Sequence, residues 1–412
     1  MNKKVLIVLG INLYLNSSVS MANSAYIKGF LENGFEVTVI MPECDEADRD
    51  YSMDMPSGVN YCVFPRTGPF EKRIAKTVKV SAYKNKHGDI LYFFKNMIRK
   101  SLSSMKQMII RRRKDSLYGN YEYYISQIKD KWTGQDCVFD YMVTISSPVA
   151  SHHIGEEIKS AGLVQCNKWI QLWEDPWYYD LYTEKDPSIL DEERRLLSLA
   201  DFIEYVSPIT WHYQKKYFSE YQGKMHWAFL PCCKIVEYEN NLEEKQSLLL
   251  GYFGEYVSKV RNIKPLIDAV MQNKKYRLIA CGNTDINVPE CSNIELRGRC
   301  SLDKVEELQS KCDILVNLSN LGGGQIPGKV YQYAGTNKPV LFILDGSDEE
   351  IEQLMLHFLP YNRFIFCENN VDAILRVLNE FCQDSDTIQN KPVSAFSPYE
   401  VVKAILGDCA SD

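Results

Sequence analysis

Short, nearly continuous apolar runs alternate with amphipathic segments along most of the chain. Lys4 to Leu9 is one such run, closed by Gly10. The polar loop Asn12 to Ser18 then leads into a helical face of Met21, Ala25, Phe30 and Leu31, which Asn33-Gly34 ends before the next run, Phe35 to Ile40. This opening predicts a βαβ unit, although the loop after its first strand lacks the G-x-G-x-x-G spacing of dinucleotide sites. Further strands are predicted at Asp140 to Ser147, Lys168 to Trp173 and Met225 to Leu230, with a strand running into a helix over Leu199 to Ser207. Pro231 to Gln246 is polar, has no apolar periodicity and reads as a linker. After it the pattern resumes: Leu248 to Phe253 is a strand closed by Gly254, and a helix carries Ile263, Leu266, Ile267, Ala269 and Val270. Arg277 to Cys281 follows as a strand, Ser301 caps a helix, and Ser397 to Leu406 is a terminal helix. The order predicts two Rossmann-like α/β domains with parallel sheets, residues 1–235 and 247–412, joined by 236–246.

One stretch of the second domain carries chemistry. Ile314 to Leu318 is a buried strand that breaks at Gly322-Gly323-Gly324, where a missing side chain lets backbone approach a ligand. Gln325 to Ala334 is predicted as a short helix with Pro327 in its first turn, and Val340 to Leu344 as the next strand. A ligand of such a unit lies at the carboxyl ends of the strands, where helix amino termini favour phosphate. Lys329 adds a cation there.

The run Pro327-Gly328-Lys329-Val330-Tyr331-Gln332-Tyr333 with Lys338-Pro339-Val340 resembles the P-S-K-x-[FY]-E-Y…G-K-P-[IV] signature of GT-B nucleotide-sugar glycosyltransferases, specifically glycosyltransferase family 4. Two positions depart from it. The family's ribose-binding Glu is Gln332, and the first acidic residue of its E-x7-E pattern falls on Gly324. Ser146-Ser147-Pro148 with Ile154-Gly155, Glu174-Asp175-Pro176-Trp177 and Ala200-Asp201 to Ser207 resemble acceptor-domain segments of the same family. The resemblance implies a GT-B architecture, two Rossmann-like domains facing across a cleft. It assigns Arg261, Lys329, Asp175 and His152 to catalysis, with His153 as an alternative to His152, and Lys259 or Lys264 as alternatives to Arg261 at the phosphates. Donor binding falls to Gly254, Gly322, Gly323, Gly324, Gln325, Gly328 and Gln332. Asn12, Asn16, Ser17 and Ser18 would meet the acceptor, unless their loop is only a capped turn.

The implied reaction moves a sugar, with retention, from a nucleotide diphosphate sugar to a glycan or lipid-linked glycan acceptor in bacterial surface polysaccharide biosynthesis. In it the leaving diphosphate takes the acceptor proton, so no metal and no further cofactor is required. Asp48-Arg49-Asp50 and Asp384-Ser385-Asp386 have D-x-D spacing but lie in polar loop sequence, where such pairs arise by chance. Two competitors stand beside the transferase: a nucleotide-sugar epimerase of the same architecture, which needs acid/base groups around the sugar, and a non-catalytic nucleotide- or glycan-binding subunit.

Charge and composition narrow this further. At 412 residues, 45% hydrophobic and 25% charged, with net charge −7, the chain reads as a globular protein and not a nucleic-acid binder. Thirteen cysteines without C-x-x-C spacing fit neither a disulfide framework nor a zinc ribbon, and point to a reducing cytoplasm. No apolar run approaches the ~18 residues of a membrane span, and the first is too short for a signal peptide. One segment runs against the net charge. Residues 90–114 carry Lys95, Arg99, Lys100, Lys106, Arg111, Arg112, Arg113 and Lys114 around an apolar face, and predict a basic helix. Its polar face suits either an anionic membrane surface, at about 1 kcal/mol per cation, or solvent.

Overall fold

The computed structural model describes residues 3–68, 117–119, 121–132, 138–239, 247–383 and 390–411. The basic stretch 90–114, the 240–246 part of the expected linker and Asp384-Ser385-Asp386 lie outside the described residues.

In the first domain the strands are β1 (Lys4–Leu9), β2 (Glu36–Pro42), β3 (Asn60–Phe64), β4 (Val138–Ser146), β5 (Gln165–Trp173), β6 (Phe202–Tyr205) and β7 (Met225–Trp227). They pair in parallel in the order β3-β2-β1-β4-β5-β6-β7. Its helices are α1 (Ser18–Glu32), α2 (Glu122–Lys131), α3 (Ala150–Ser160), α4 (Pro187–Leu199) and α5 (Pro208–Tyr217). Local sequence starts and stops these elements. The Ser17 hydroxyl accepts from Ser20 N–H to begin α1, and Gly34, at φ +82°, turns the chain out of it. Asp186 and Ser207 cap α4 and α5, each followed by a proline at the first helical position. Strand β7 is shorter than the expected run to Leu230, since Phe229 and Leu230 leave the sheet and pack against the second domain's core.

Strands β8 (Leu248–Phe253), β9 (Tyr276–Cys281), β10 (Ile294–Arg297), β11 (Ile314–Leu318), β12 (Val340–Leu344) and β13 (Phe364–Glu368) form the second sheet, again parallel, in the order β10-β9-β8-β11-β12-β13. Helices α6 (Lys264–Gln272), α7 (Leu302–Lys311), α8 (Lys329–Ala334), α9 (Asp348–Phe358) and α10 (Val371–Gln383) accompany them. β11 and β12 are buried at every position, as parallel strands covered on both faces must be.

The last helix, α11 (Pro398–Ser411), departs from the expected 247–412 unit. It crosses back and buries Val401, Val402, Ile405 and Cys409 in the first domain's core, beside Ala22, Tyr26, Ile27 and Phe30 of α1. Full burial of an aliphatic side chain contributes roughly 1.5–3 kcal/mol, so these contacts bind the helix to the first domain. Gly29 permits the approach: a Cβ there would lie 2.3 Å from the Pro398 carbonyl oxygen. The expected linker is also partly structured, since Val236 bridges Thr336 and Tyr238 exchanges two hydrogen bonds with Asn337.

In each sheet the strand order reverses between two neighbours, β1 and β4 in one and β8 and β11 in the other. Loops at such reversals part to opposite faces and leave a crevice at the strands' carboxyl ends. The two crevices face each other.

Candidate active site

A cavity of about 470 Å³ lies between the domains, lined by the loops that leave β8, β9, β10 and β11 on one side and β1 and β5 on the other. The second-domain wall is basic. Arg261, on the connection from β8 to α6, donates from Nε to the Asn320 side chain at 3.0 Å and from Nη1 to the Glu255 carbonyl at 2.9 Å. Asn320 follows β11, so one guanidinium is held by both strands of the reversal, with two of its five donors used in these bonds. Gly282 lets the ends of β8 and β9 meet, because a Cβ there would fall 2.0 Å from the Gly254 carbonyl oxygen. Lys329, the first residue of α8, reaches the same cavity with Arg299. Burial lowers the Lys329 pKa; the Cys233 thiol opposes that shift, and the Arg299 cation adds to it.

The opposite wall is acidic. Glu174 and Asp175 follow β5, and Asp180 lies on the same loop. Asp175 and Asp180 both accept from the Gln325 amide, which crosses from the second domain. Burial pushes the Asp175 carboxyl up to about 6, with the Gln325 bond working against the shift. Glu174 is raised well above the usual carboxylate range, chiefly by burial and then by Asp175. One of its oxygens accepts from Ser147 N–H at 3.3 Å, and the other has no hydrogen-bond partner among the described residues. Glu193 supports this wall from behind, accepting the backbone N–H groups of Trp177 and Tyr178 at 3.2 and 2.7 Å.

Of the residues expected at the site, Arg261, Lys329, Asp175, Gly254, Gln325, Gly328, Gln332, Asn16, Ser17 and Ser18 line this cavity. Several have other tasks than expected. Gln332 accepts from Cys233 N–H at 2.8 Å and donates to the Pro231 carbonyl at 3.3 Å, so its amide holds the interdomain connection where a ribose contact was expected. Asn16 donates to Asp50 in its own domain and to the Cys300 carbonyl in the other, at 2.8 and 3.0 Å. Asn12 is buried outside the cavity, bonded to the Pro42 carbonyl and to Tyr14 N–H, as a turn residue.

His152 is likewise enclosed. Its Nδ1 pairs with the Thr144 hydroxyl at 2.7 Å, its ring packs 4.4 Å from Trp173, and burial lowers its pKa to about 3. It sits behind the acidic wall and does not reach the cavity. His153 stacks on Tyr118 and pairs with Glu156 instead.

The glycine loop serves contact between domains. Gly323 and Gly324 adopt φ of +90° and +73°, and a Cβ on them would come within 3.0 Å of Leu181 in one case and of Ile209 and Tyr213 in the other. The Gly324 carbonyl accepts from Ser207 and Thr210, and its N–H donates to Glu350. Gly322 is off the cavity too. These ties keep 325–328 out of the helix expected from Gln325; α8 begins at Lys329 and spans 6 residues, so side-chain cations carry the positive charge of this wall.

Arg299, Asn320, Glu174 and Asp180 were not among the expected residues. Asn320 had a signal, a polar residue just past a buried strand and before the glycines. Glu174 and Asp180 flank the Asp175 motif, so distance along the chain alone could have drawn them in.

No family model matches the chain, and no curated protein matches it in sequence. Its fold does match solved structures. Over 99% of this chain and 99% of the other, it superposes on the apo form of the lipopolysaccharide outer core galactosyltransferase WaaB, with a TM-score of 0.53 and 13% identity. Arabidopsis thaliana UGT89C1 complexed with UDP-L-rhamnose gives 0.52 at 11% identity, covering 99% and 98% of the two chains. A UDP-N-acetylglucosamine 2-epimerase gives 0.52 at 8% identity, covering 100% and 98%. At these identities the likeness concerns the fold: two facing Rossmann-like domains, the GT-B architecture.

Proposed function

We propose that the chain transfers a glycosyl group from a nucleotide diphosphate sugar to a hydroxyl of a lipid-linked glycan, for a bacterial surface polysaccharide. The observation that carries this reading is the division of the cavity into a basic and an acidic wall at the strand reversals. Arg261, Lys329 and Arg299 suit a diphosphate, and the volume falls within the roughly 300–1,000 Å³ of small-molecule sites. Glu174, Asp175 and Asp180 suit sugar and acceptor hydroxyls. In the step proposed, the bond from the anomeric carbon to the diphosphate oxygen breaks as the acceptor oxygen attacks the same face, and the acceptor proton passes to the departing oxygen. Negative charge grows on that oxygen. Cations held in place stabilise it more as it departs than before, which lowers the barrier.

The test is a thermal-shift and calorimetric screen of nucleoside diphosphates and their sugars, UDP first because UGT89C1 is complexed with a UDP-sugar. Transfer to lipid-linked acceptors follows, with the anomer of the product read by NMR. Binding of a nucleoside diphosphate that Arg261→Ala and Lys329→Ala leave unchanged would end this reading.

A second reading is favoured by one observation. Glu174 and Asp175 are adjacent carboxyls held above their ordinary pKa values by burial, which is the acid/base equipment an epimerase needs. Conversion of a nucleotide sugar in the absence of any acceptor would select it.

A further inference from the structure

A second cluster lies away from the cleft, where the last helix meets the first sheet. Glu204 of β6 and His226 of β7 are register partners on neighbouring parallel strands, and Asp408 of α11 comes down beside them. One donor atom from each lies within 4.8 Å of the others. None of these residues lines the cavity between the domains.

Glu204 makes the cluster unusual. It is 1% exposed, and neither carboxylate oxygen has a hydrogen-bond partner among the described residues. A buried carboxylate without compensation costs several kcal/mol, and Asp408 brings a second acid to the same place. Burial, then Asp408, drives the Glu204 carboxyl well above its usual range. Such a carboxyl is satisfied either by a proton or by a cation that both acids share. The imidazole decides between them. A proton on Glu204 asks nothing of a third group, whereas one imidazole and two carboxylates are the donor set of a borderline divalent ion.

We propose that Glu204, His226 and Asp408 bind a divalent transition-metal ion, of which Zn²⁺ is the type, and that the ion fastens α11 to the first sheet. Bonds of about 2.0–2.2 Å require the donors to draw closer than their present spacing. Glu204 is anchored within β6, while His226 and Asp408 are only half-buried and supply the movement. Three protein ligands leave a fourth position for water. The role is structural: Asp408 follows Val401, Val402 and Ile405 on one helix, so the ion would clamp the end of a helix whose start is held by apolar packing.

The full-length chain is purified, its metal content measured by mass spectrometry, and the chelator-dialysed protein titrated with Zn²⁺ and Co²⁺. One ion per chain is expected, with an intense Co²⁺ visible band of tetrahedral type, a higher Tm and slower amide exchange across α11. His226→Ala and Glu204→Gln should each lose affinity beyond the ~10–100-fold that follows from removing an outer-shell partner, and Asp408→Asn likewise. Circular dichroism confirms that each variant is folded. Glu204→Gln is the informative one, because an amide fills the same space without the charge. Absence of stoichiometric metal with a Co²⁺ spectrum equal to that in buffer, or Zn²⁺ affinity unchanged in Glu204→Gln and His226→Ala, would overturn the site and leave Glu204 as a protonated buried acid.

Discussion

The two walls of the cleft are built by the same fold and carry opposite charge. On the basic side, burial, and to a smaller extent the Arg299 cation, lowers the affinity of Lys329 for its proton. On the acidic side, burial, and then Asp180, raises the affinity of Asp175 for its proton. Burial thus disfavours the charged form of one group on each wall, Lys329 and Asp175. Across the gap, the neutral Gln325 amide reaches Asp175 and Asp180, and Arg299 donates to the Asn16 carbonyl. A wall with three cations, Arg261, Arg299 and Lys329, to one carboxylate, Glu255, favours an anionic guest, and a wall of carboxyls favours hydroxyl groups. Opposite chemistry on similar scaffolds comes from loops at strand ends, which the sheet positions without dictating their side chains.

Removing the basic wall should give the largest effect. Arg261→Ala and Lys329→Ala are each expected to lower kcat by about 10²–10³-fold, roughly 2.7–4 kcal/mol, with a smaller loss of ground-state nucleotide affinity. Steady-state kinetics at saturating donor, set against calorimetric titration of a nucleoside diphosphate, separates the two. Equal losses in both would mean that the wall only binds.

The acidic wall should respond to pH. Asp175 ionises near pH 6, so transfer that uses its carboxylate to orient the acceptor rises as pH passes through that value. Asp175→Asn is expected to lower transfer by about 10²-fold, remove that limb of the profile and leave nucleotide affinity nearly intact. The linked stability effect has the opposite sign. A raised carboxyl pKa means that the folded state holds the proton more tightly, so this group's contribution is full below the unfolded value of about 3.9 and is lost as pH rises toward 6.

Glu193 tests whether the acidic wall is held from behind. Its pKa is raised to about 7, mainly by burial, while the N–H groups of Tyr178 and Trp177 oppose the shift. The wild type should therefore lose stability as pH climbs from about 4.3 to 7. In Glu193→Gln the slope of Tm against pH over that interval should flatten. Gln332→Ala is expected to do least. It removes two hydrogen bonds to the connecting backbone, at about 0.5–1.5 kcal/mol each, so chemical denaturation should register the change while nucleoside diphosphate affinity stays near wild type. A marked fall in that affinity would restore the ribose contact.

The architecture was legible because buried parallel strands are short, apolar and self-contained. Lys4–Leu9, Leu248–Phe253, Ile314–Leu318 and Val340–Leu344 end where their apolar runs end. Arg261, Lys329 and Asp175, which the family resemblance singled out, all line the cavity, and only Asp175 stands directly past its strand. The glycines were visible as glycines, but whether Leu181, Ile209 and Tyr213 or a ligand needs the space is decided by the other domain. His152 could not be placed from its helix start alone, because Thr144 and Trp173 enclose it from two strands. Arg299 follows a four-residue edge strand, Ile294–Arg297, which has too little apolar pattern to stand out.

The return of α11 has a consequence for synthesis on the ribosome. Because Val401, Val402 and Ile405 complete a core begun by Val5, Ile7 and Leu9, the core of the first domain cannot close until α11 has been translated. Residues 248–383 supply every strand of the second sheet and emerge before that helix. Until then the residues that α11 covers in that core stay exposed. Emergence of α11, more than the appearance of its own strands, sets when the first domain becomes native.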